Sequence, residues 1–236
     1  YMAQRFSLYS ELTVVENLSF YSELYQVPMD ELKARQERLL SFAGLTEFKD
    51  RRADHLSGGM KKKLALASTL IHEPDILLLD EPTTGVDPIS RREFWDILTE
   101  LHLGGTTIVV STPYMDEADR CSMVGLLYQG RLVRCAPPQV LRRLIEGDLI
   151  ELRTADWQGA YQAIHSLSRV REVQTYGESL HVLVGSYKKD LRKIKKALKK
   201  NGVELLSARP AAARMEEAFI SLVRSMEKVQ VDKKER

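Results

Sequence analysis

A chain of 236 residues has room for one large domain with a small companion, or for two modest ones, and can bury a sizeable core. Its 35 Lys+Arg against 33 Asp+Glu leave +2, which excludes bulk attraction to nucleic acid or acidic membrane as the leading basis of function and assigns that role to specific sites. No apolar run approaches the ~18 residues of a membrane span, and the opening YMAQRFSLYS lacks the layout of a signal peptide.

Cys121 and Cys135 form no C-x-x-C pair, so a disulfide framework or structural zinc is not expected; both are expected to be small buried residues in a reducing cytosol. Starting at Tyr1, the chain is expected to be a piece of a longer protein.

Behind Thr13-Val-Val-Glu16, a capping-box pattern, Val14, Leu18, Tyr21 and Tyr25 recur at near-helical spacing. A second helix is predicted after Pro28, carrying Leu32, Leu39 and Leu40. Leu56-Ser57-Gly58-Gly59-Met60 is a Gly-rich loop opening a third helix from Lys61 to Ile71, whose Leu64, Ala67, Leu70 and Ile71 form one stripe. The continuous run Ile76-Leu77-Leu78-Leu79 predicts a strand buried on both faces of a parallel sheet, ending in Asp80-Glu81. Asp87 as N-cap and Pro88 at the first helical position predict a helix with Phe94, Trp95, Leu98 and Leu101 inside, running to Gly104-Gly105. Thr107 to Ser111 is expected to be another buried strand, and residues 123–128 and 132–135 a hairpin about Gln129-Gly130. This order marks an α/β layer fold.

After Pro137-Pro138 and a short helix to Gly147 the composition shifts. Strand 149–153, helix 157–167, strands 170–175 and 180–184, helix 188–200 and strand 203–207 follow the βαββαβ, ferredoxin-like plan. A last helix from about Met215 carries Phe219, Leu222 and Val223 before the polar tail Asp232-Lys-Lys-Glu-Arg236.

Taken alone, Leu-Ser-Gly-Gly-Met is either a simple helix cap or a phosphate-holding loop, since glycines let backbone N–H groups approach a ligand and a helix N-terminus favours an anion. Asp80-Glu81, at the C-terminal end of a predicted strand, lies where sites in open α/β sheets form. An Asp there can hold Mg²⁺ through water while the neighbouring Glu accepts a proton from an attacking water; an acidic pair at a strand end is also a common turn.

In combination these residues resemble the ATP-binding subunits of ABC transporters. Leu56-Ser57-Gly58-Gly59-Met60 is similar to the family's signature sequence, Ile76-Leu-Leu-Leu-Asp80-Glu81-Pro82 to its Walker B strand with the catalytic Glu, and Gly85-Val-Asp87 to its D-loop. Gln4, in Met-Ala-Gln-Arg-Phe, matches the Q-loop glutamine. Asp-Glu-Pro-Thr-Thr-Gly-Val-Asp-Pro and Met215-Glu-Glu-Ala-Phe219 most resemble the exporter subfamily whose ATPase carries a small C-terminal domain, including forms with two ATPase units in tandem. The resemblance implies an α/β fold: a partial ABC ATPase domain over residues 1–147, with a helical subdomain at about 5–72, then an accessory domain with terminal helix over 148–236.

It also implies a shared site in which two such domains sandwich ATP. Ser57, Gly58 and Gly59, with Asp87, would contact nucleotide, the signature loop donating to the γ-phosphate bound by the opposite domain. Asp80 would support Mg²⁺, Glu81 would polarise the attacking water, and Gln4 would reach toward metal and nucleophile. ATP and Mg²⁺ are the implied cofactors. The implied partners are a second ABC ATPase domain and transmembrane exporter subunits, with no nucleic acid, and the implied location is cytoplasmic, peripheral on the inner face of the cell membrane.

Two departures stand out. The phosphate-cradling G-x-x-x-x-G-K-S/T is absent; the one spacing match, Gly125 to Leu132, lacks both Lys and hydroxyl and falls in a strand-turn-strand context. On the resemblance, the phosphate loop is expected in a segment ahead of Tyr1. Where the family has Ser-Thr-His after the next strand, this chain has Ser111-Thr112-Pro113, and His55, His72, His102, His165 and His181 fall in no matching motif. Pro113 therefore supports a second reading, a nucleotide-holding half of a tandem or asymmetric pair. A third, a soluble ABC protein of translation or DNA repair, is disfavoured because the residues between Gln4 and Leu56 lack sustained heptads. The Lys-rich helix 188–200 is expected to present a solvated basic face, and the accessory domain, without aromatics on its central strands for base stacking, a regulatory or assembly role.

Overall fold

The structure, a computed structural model, describes residues 1–5 and 8–234, with side chains as far as residue 224; Phe6, Ser7 and the end of the polar tail, Glu235-Arg236, lie outside the described residues. The chain divides into two units, residues 1–113 and 114–236.

The first unit holds α1 (Val14–Leu24), α2 (Met29–Phe42), α3 (Gly58–Leu70), β1 (Ile76–Asp80), α4 (Pro88–Leu103) and β2 (Thr107–Ser111). Helix α1 begins at the expected capping box: Thr13 Oγ1 accepts from the Glu16 N–H at 3.2 Å, and Glu16 Oε2 accepts from the Thr13 N–H at 2.7 Å. Its buried stripe of Val14, Leu18 and Tyr21 faces the core of a three-helix cluster with α2 and α3. Asp87 caps α4 ahead of Pro88, and Phe94, Trp95 and Leu98 are buried.

Strands β1 and β2 pair in parallel from Ile76↔Thr107 to Asp80↔Ser111. On the other side of β1, Met2 bridges Leu79 in parallel, donating to the Leu78 carbonyl at 2.8 Å and accepting from the Asp80 N–H at 2.9 Å. The expectation of strands buried on both faces is corrected. Leu77 and Leu79 are 0% and 2% exposed, but Ile76 and Leu78 are 60% and 44%, and Val109 on β2 is 55%. A continuous apolar run requires two apolar faces; it does not specify that both are covered.

The second unit contains α5 (Met115–Ala118), β3 (Val124–Tyr128), β4 (Arg131–Ala136), α6 (Pro138–Arg143), β5 (Asp148–Thr154), α7 (Trp157–Ile164), β6 (Val170–Tyr176), β7 (Ser179–Val184), α8 (Tyr187–Lys200), β8 (Leu205–Ala211) and α9 (Met215–Lys234). Strands β3 and β4 form an antiparallel hairpin, so Gly125 to Leu132 is a strand-turn-strand and not a phosphate loop. Ala118, Val124, Leu126 and Leu141 pack with Met215, Phe219 and Leu222 of α9. That packing groups residues 114–147 with α9 in the second unit.

The remaining four strands form one antiparallel sheet in the order β6-β7-β5-β8, which realises the ferredoxin-like plan. Ile150, Leu152, Leu180, Val182 and Val184 pack against Ile164 of α7 and Ile194 and Leu198 of α8. The last strand begins two residues later than expected. Gly202, at φ +71°, turns the chain out of α8, and Val203 donates to the Leu198 carbonyl instead of entering the ladder. Pro210 is tolerated because β8 lies at the sheet edge. The cysteine expectation is also corrected: Cys121 is half-buried and Cys135 exposed.

On the sheet's other face, His181 Nδ1 lies 3.0 Å from Glu217 Oε1, both side chains buried, while Glu217 Oε2 accepts from the Arg214 N–H at 2.7 Å. This pair ties the start of α9 to β7. The Tyr176 ring lies tilted against His181 with centroids 4.3 Å apart, and burial, then the Glu217 and Glu216 carboxylates, push its phenol up to about 12. Glu217→Ala strips both donors of a buried acceptor, so urea unfolding should register a loss of about 1–3 kcal/mol in the second unit. An unchanged midpoint would show that α9 is held by its apolar contacts alone.

Candidate active site

The C-terminal edge of the β1/β2 pair is where three of the expected site residues meet. Because Met2 runs parallel to β1 and is itself 0% exposed, Gln4, two residues on, arrives level with Glu81. Gln4 Nε2 donates to Glu81 Oε2 at 2.6 Å, and Thr84 Oγ1 donates to the same oxygen at 3.1 Å. Both donors converge on Oε2, which leaves Oε1 without a hydrogen bond among the described residues. Asp80, one residue earlier, accepts from Ser111 Oγ at 2.7 Å on Oδ1 and from the Tyr1 hydroxyl at 3.3 Å on Oδ2.

The backbone at Glu81 is unusual for its residue type. Its φ of +44° lies in the left-handed region, which costs a non-glycine residue about 1–2 kcal/mol and is found where surrounding structure over-determines it. Here the Glu81 N–H donates to the Ser111 carbonyl at 2.9 Å, and the Thr84 N–H to the Glu81 carbonyl at 3.2 Å. Together they turn the chain sharply off β1 and hold the carboxylate at the strand end.

A second cluster joins the N-termini of α3 and α4. Ser57 caps α3, its Oγ accepting from the Met60 N–H at 3.2 Å, and the first-turn N–H groups of Gly58 and Gly59 have no partner within the helix. Asp87 Oδ1 accepts from the Ile89 and Ser90 N–H groups at 3.1 and 3.0 Å. Those bonds, Ser90's first, hold the Asp87 carboxyl below the ordinary aspartate range. The two helix ends are in close contact. A Cβ on Gly59 would lie 2.5 Å from both Cβ and Oγ of Ser90, and one on Gly58 would lie 3.8 Å from the Gly85 carbonyl oxygen. Only glycine at 59 lets the signature-like loop seat against the turn that follows Glu81.

Lys62, one turn into α3, connects the clusters by donating Nζ to the Gln4 main-chain carbonyl at 2.8 Å. Burial lowers its ammonium pKa against the opposing pull of Glu81 and Asp80. Sequence reasoning missed Lys62, Ser111 and Thr84. Ser111 carried a usable signal, the C-terminal end of a second parallel strand; Lys62 carried none, being the middle of Lys61-Lys62-Lys63. Pro113 is exposed, two residues beyond the end of β2, and offers neither a hydrogen-bond donor nor a titratable group at the position where a histidine was sought.

The donor set at the β1/β2 edge is all oxygen: the Asp80 carboxylate, the Ser111 hydroxyl and the amide and carboxylate of Gln4 and Glu81. Such a set fits a hard divalent cation, and among the described residues no group of three or more His, Cys, Asp or Glu forms a protein-only cage. The oxygen set suits Mg²⁺, which keeps waters and substrate phosphates as its other ligands.

A family model described as "ABC transporter" matches residues 1–84. The chain is 40% identical over 228 residues to "Probable multidrug ABC transporter ATP-binding protein YbhF" of Escherichia coli (strain K12), a match covering 94% of this chain and 38% of that protein. It is 30% identical over 224 residues to "Linearmycin resistance ATP-binding protein LnrL" of Bacillus subtilis (strain 168), covering 93% of this chain and 72% of that one. Among solved structures, the "Dimeric structure of a post-hydrolysis state of the ATP-binding cassette MJ0796 bound to ADP and Pi" superimposes with a TM-score of 0.52 at 28% identity, over 58% of this chain and 61% of that one. The chain thus spans well under half the length of the first of these relatives.

Two outcomes follow from the contacts. Gly59→Ala gains about 1 kcal/mol of helix propensity but forces Cβ into Ser90, a clash of about 1–3 kcal/mol; the net should be destabilising, and Ser90→Gly should cancel most of it in a double-mutant cycle by denaturant melts. Additive effects would show that the two helix ends separate in solution. The Asp87 cap contributes fully above the ordinary aspartate value of 3.8 and is lost as pH falls below it. Acid unfolding should therefore be steeper below that value in the wild type than in Asp87→Asn, which keeps a neutral cap.

Proposed function

Since this chain belongs to the ATP-binding subunits of ABC transporters, we propose that it supplies one face of a composite ATP site powering a multidrug-type exporter. The cradle beneath the triphosphate comes from outside these 236 residues, which contain no G-x-x-x-x-G-K-S/T. The supporting observation is the Gln4–Glu81 contact at 2.6 Å beside Asp80, at the end of a parallel strand.

In this reading Glu81 is the general base. Gln4 and Thr84 fix Oε2, so Oε1 faces the attacking water and takes its proton as the oxygen closes on the γ-phosphorus. Asp80, oriented by Ser111, would hold Mg²⁺. The metal, when bound, neutralises charge on the β- and γ-phosphate oxygens. At the other face of the pair, the Ser57 hydroxyl and the Gly58 and Gly59 N–H groups donate to the γ-phosphate of a nucleotide held by a second ABC ATPase domain, where preorganised donors in a closed site contribute most. Transmembrane exporter subunits complete the assembly, with this chain peripheral on the cytoplasmic face of the membrane. The ATPase portion extends through residue 147, and residues 148–236 form its accessory domain.

Pro113 favours a second reading, in which this chain belongs to the weakly hydrolysing, nucleotide-holding half of an unequal pair. The two readings separate in a form joined to a phosphate-loop segment and paired with its partner domain. Glu81→Gln should lower ATP turnover at least 100-fold while nucleotide binding persists. Pro113→His should raise turnover; an unchanged rate with normal binding would remove the case for an impaired switch. The 236-residue chain alone should bind Mg-ATP no more tightly than about millimolar, ~4 kcal/mol, by calorimetry. Micromolar binding would contradict an externally supplied cradle.

A further inference from the structure

The near-zero charge of the whole chain conceals a strong division. Residues 1–113 hold 12 Lys+Arg against 17 Asp+Glu, a net −5, and residues 114–236 hold 23 against 16, a net +7. Helix α8 alone accounts for the positive excess. Its 14 residues carry Lys188, Lys189, Arg192, Lys193, Lys195, Lys196, Lys199 and Lys200 against one acid, Asp190. Asp190 is buried and is engaged inward, its Oδ2 accepting from the Ser186 N–H at 2.9 Å. All eight cations are exposed, and none has a carboxylate partner among the described residues.

At about 100° per residue the eight positions fill one uninterrupted arc of roughly 160°, along about 21 Å of helix. No acidic, aromatic or apolar residue breaks the arc. The helix's apolar residues, Leu191, Ile194 and Leu198, are committed to the sheet core and cannot anchor a partner. Seven like charges in excess on one short helix repel one another, so this face is stabilised by any surface that brings anions to it.

We propose that the outer face of α8 docks on an anionic phospholipid surface. The composition selects this partner. Seven of the eight cations are Lys, a compact, strongly hydrated charge suited to a diffuse anionic sheet. Bidentate recognition of individual phosphates in a peptide or nucleic acid would favour Arg, and single-stranded RNA would also need a stacking ring that the arc lacks. A protein partner would need apolar anchors, and Lys is depleted from protein interfaces. With its apolar side buried, α8 does not insert; it is held by charge at the headgroup level. The inference concerns a surface remote in sequence from Gln4, Asp80 and Glu81, so its failure would leave the ATPase reading intact, and the converse holds.

The test is sedimentation of the whole chain with vesicles of phosphatidylcholine containing about 30% phosphatidylglycerol, and with phosphatidylcholine alone. The wild type should bind only the anionic vesicles at about 50 mM salt and release at about 500 mM, where the screening length falls to a few ångströms. The variant Lys188→Gln, Arg192→Gln, Lys195→Gln, Lys199→Gln, which clears one contiguous half of the arc and leaves the core untouched, should bind roughly 100- to 1000-fold more weakly, at about tenfold or less per charge. A control with Arg131→Gln and Arg134→Gln on β4 should bind as the wild type does. Equal binding to neutral vesicles, salt-insensitive binding, absence of binding, or full binding by the four-site variant would each overturn the proposal. Tighter binding to a 20-nucleotide poly(U) than to anionic vesicles would overturn the lipid assignment in favour of nucleic acid. The wild-type arms stand even if the variant does not fold.

Discussion

The parallel bridge between Met2 and Leu79 is the constraint on which the candidate site depends. A parallel partner on each side of β1 brings three backbone segments to one edge in register. The side chains that follow, Gln4 from one, Asp80-Glu81 from the middle and Ser111 from the other, can only gather there. Hydrogen bonding then refines the arrangement. Two donors occupy one oxygen of Glu81, and the left-handed backbone at that residue is held by its own N–H on Ser111. Buried Met2 matters as much as exposed Gln4, since a shift of one residue in that bridge would turn the glutamine away from the carboxylate.

A second dependence runs through α3. The helix presents free N–H groups and the Ser57 hydroxyl at its start, packs a bare Gly59 against Ser90, and one turn later pins the Gln4 carbonyl with Lys62. One rigid element therefore touches the Glu81 edge and carries the loop proposed to grip a neighbour's phosphate. In a composite site of that kind, occupancy at one face has a short mechanical route to the base at the other. The charges of Asp80, Glu81 and Lys62 lie close together, so electrostatic changes at the site are shared among them.

Much of this was legible in the amino-acid pattern because it rests on local chemistry. The Thr13–Glu16 box, the Asp87-Pro88 helix start, the hairpin around Gln129-Gly130 and the βαββαβ order all follow from short-range preferences that tertiary packing did not overrule. What failed depended on who covers what. The apolar run 76–79 and the strand 107–111 have one exposed face, Cys135 is exposed, and β8 starts late because a turn after α8 takes Val203 out of the ladder. Lys62 was invisible for a similar reason, since nothing in three consecutive lysines says which one faces a carbonyl in another segment. The basic helix was visible, but its unpaired state and its share of a hidden charge division emerged only from the partition into units.

The most direct test is an experimental structure of this chain paired with its partner domain and a non-hydrolysable ATP analogue. A water within hydrogen-bond reach of Glu81 Oε1, about 2.6–3.2 Å, in line with the γ-phosphorus, while Gln4 still holds Oε2, is the expected arrangement. A Glu81 carboxylate turned away from the nucleotide, with the γ-phosphate gripped by residues other than those of the Ser57–Gly59 loop, would contradict it.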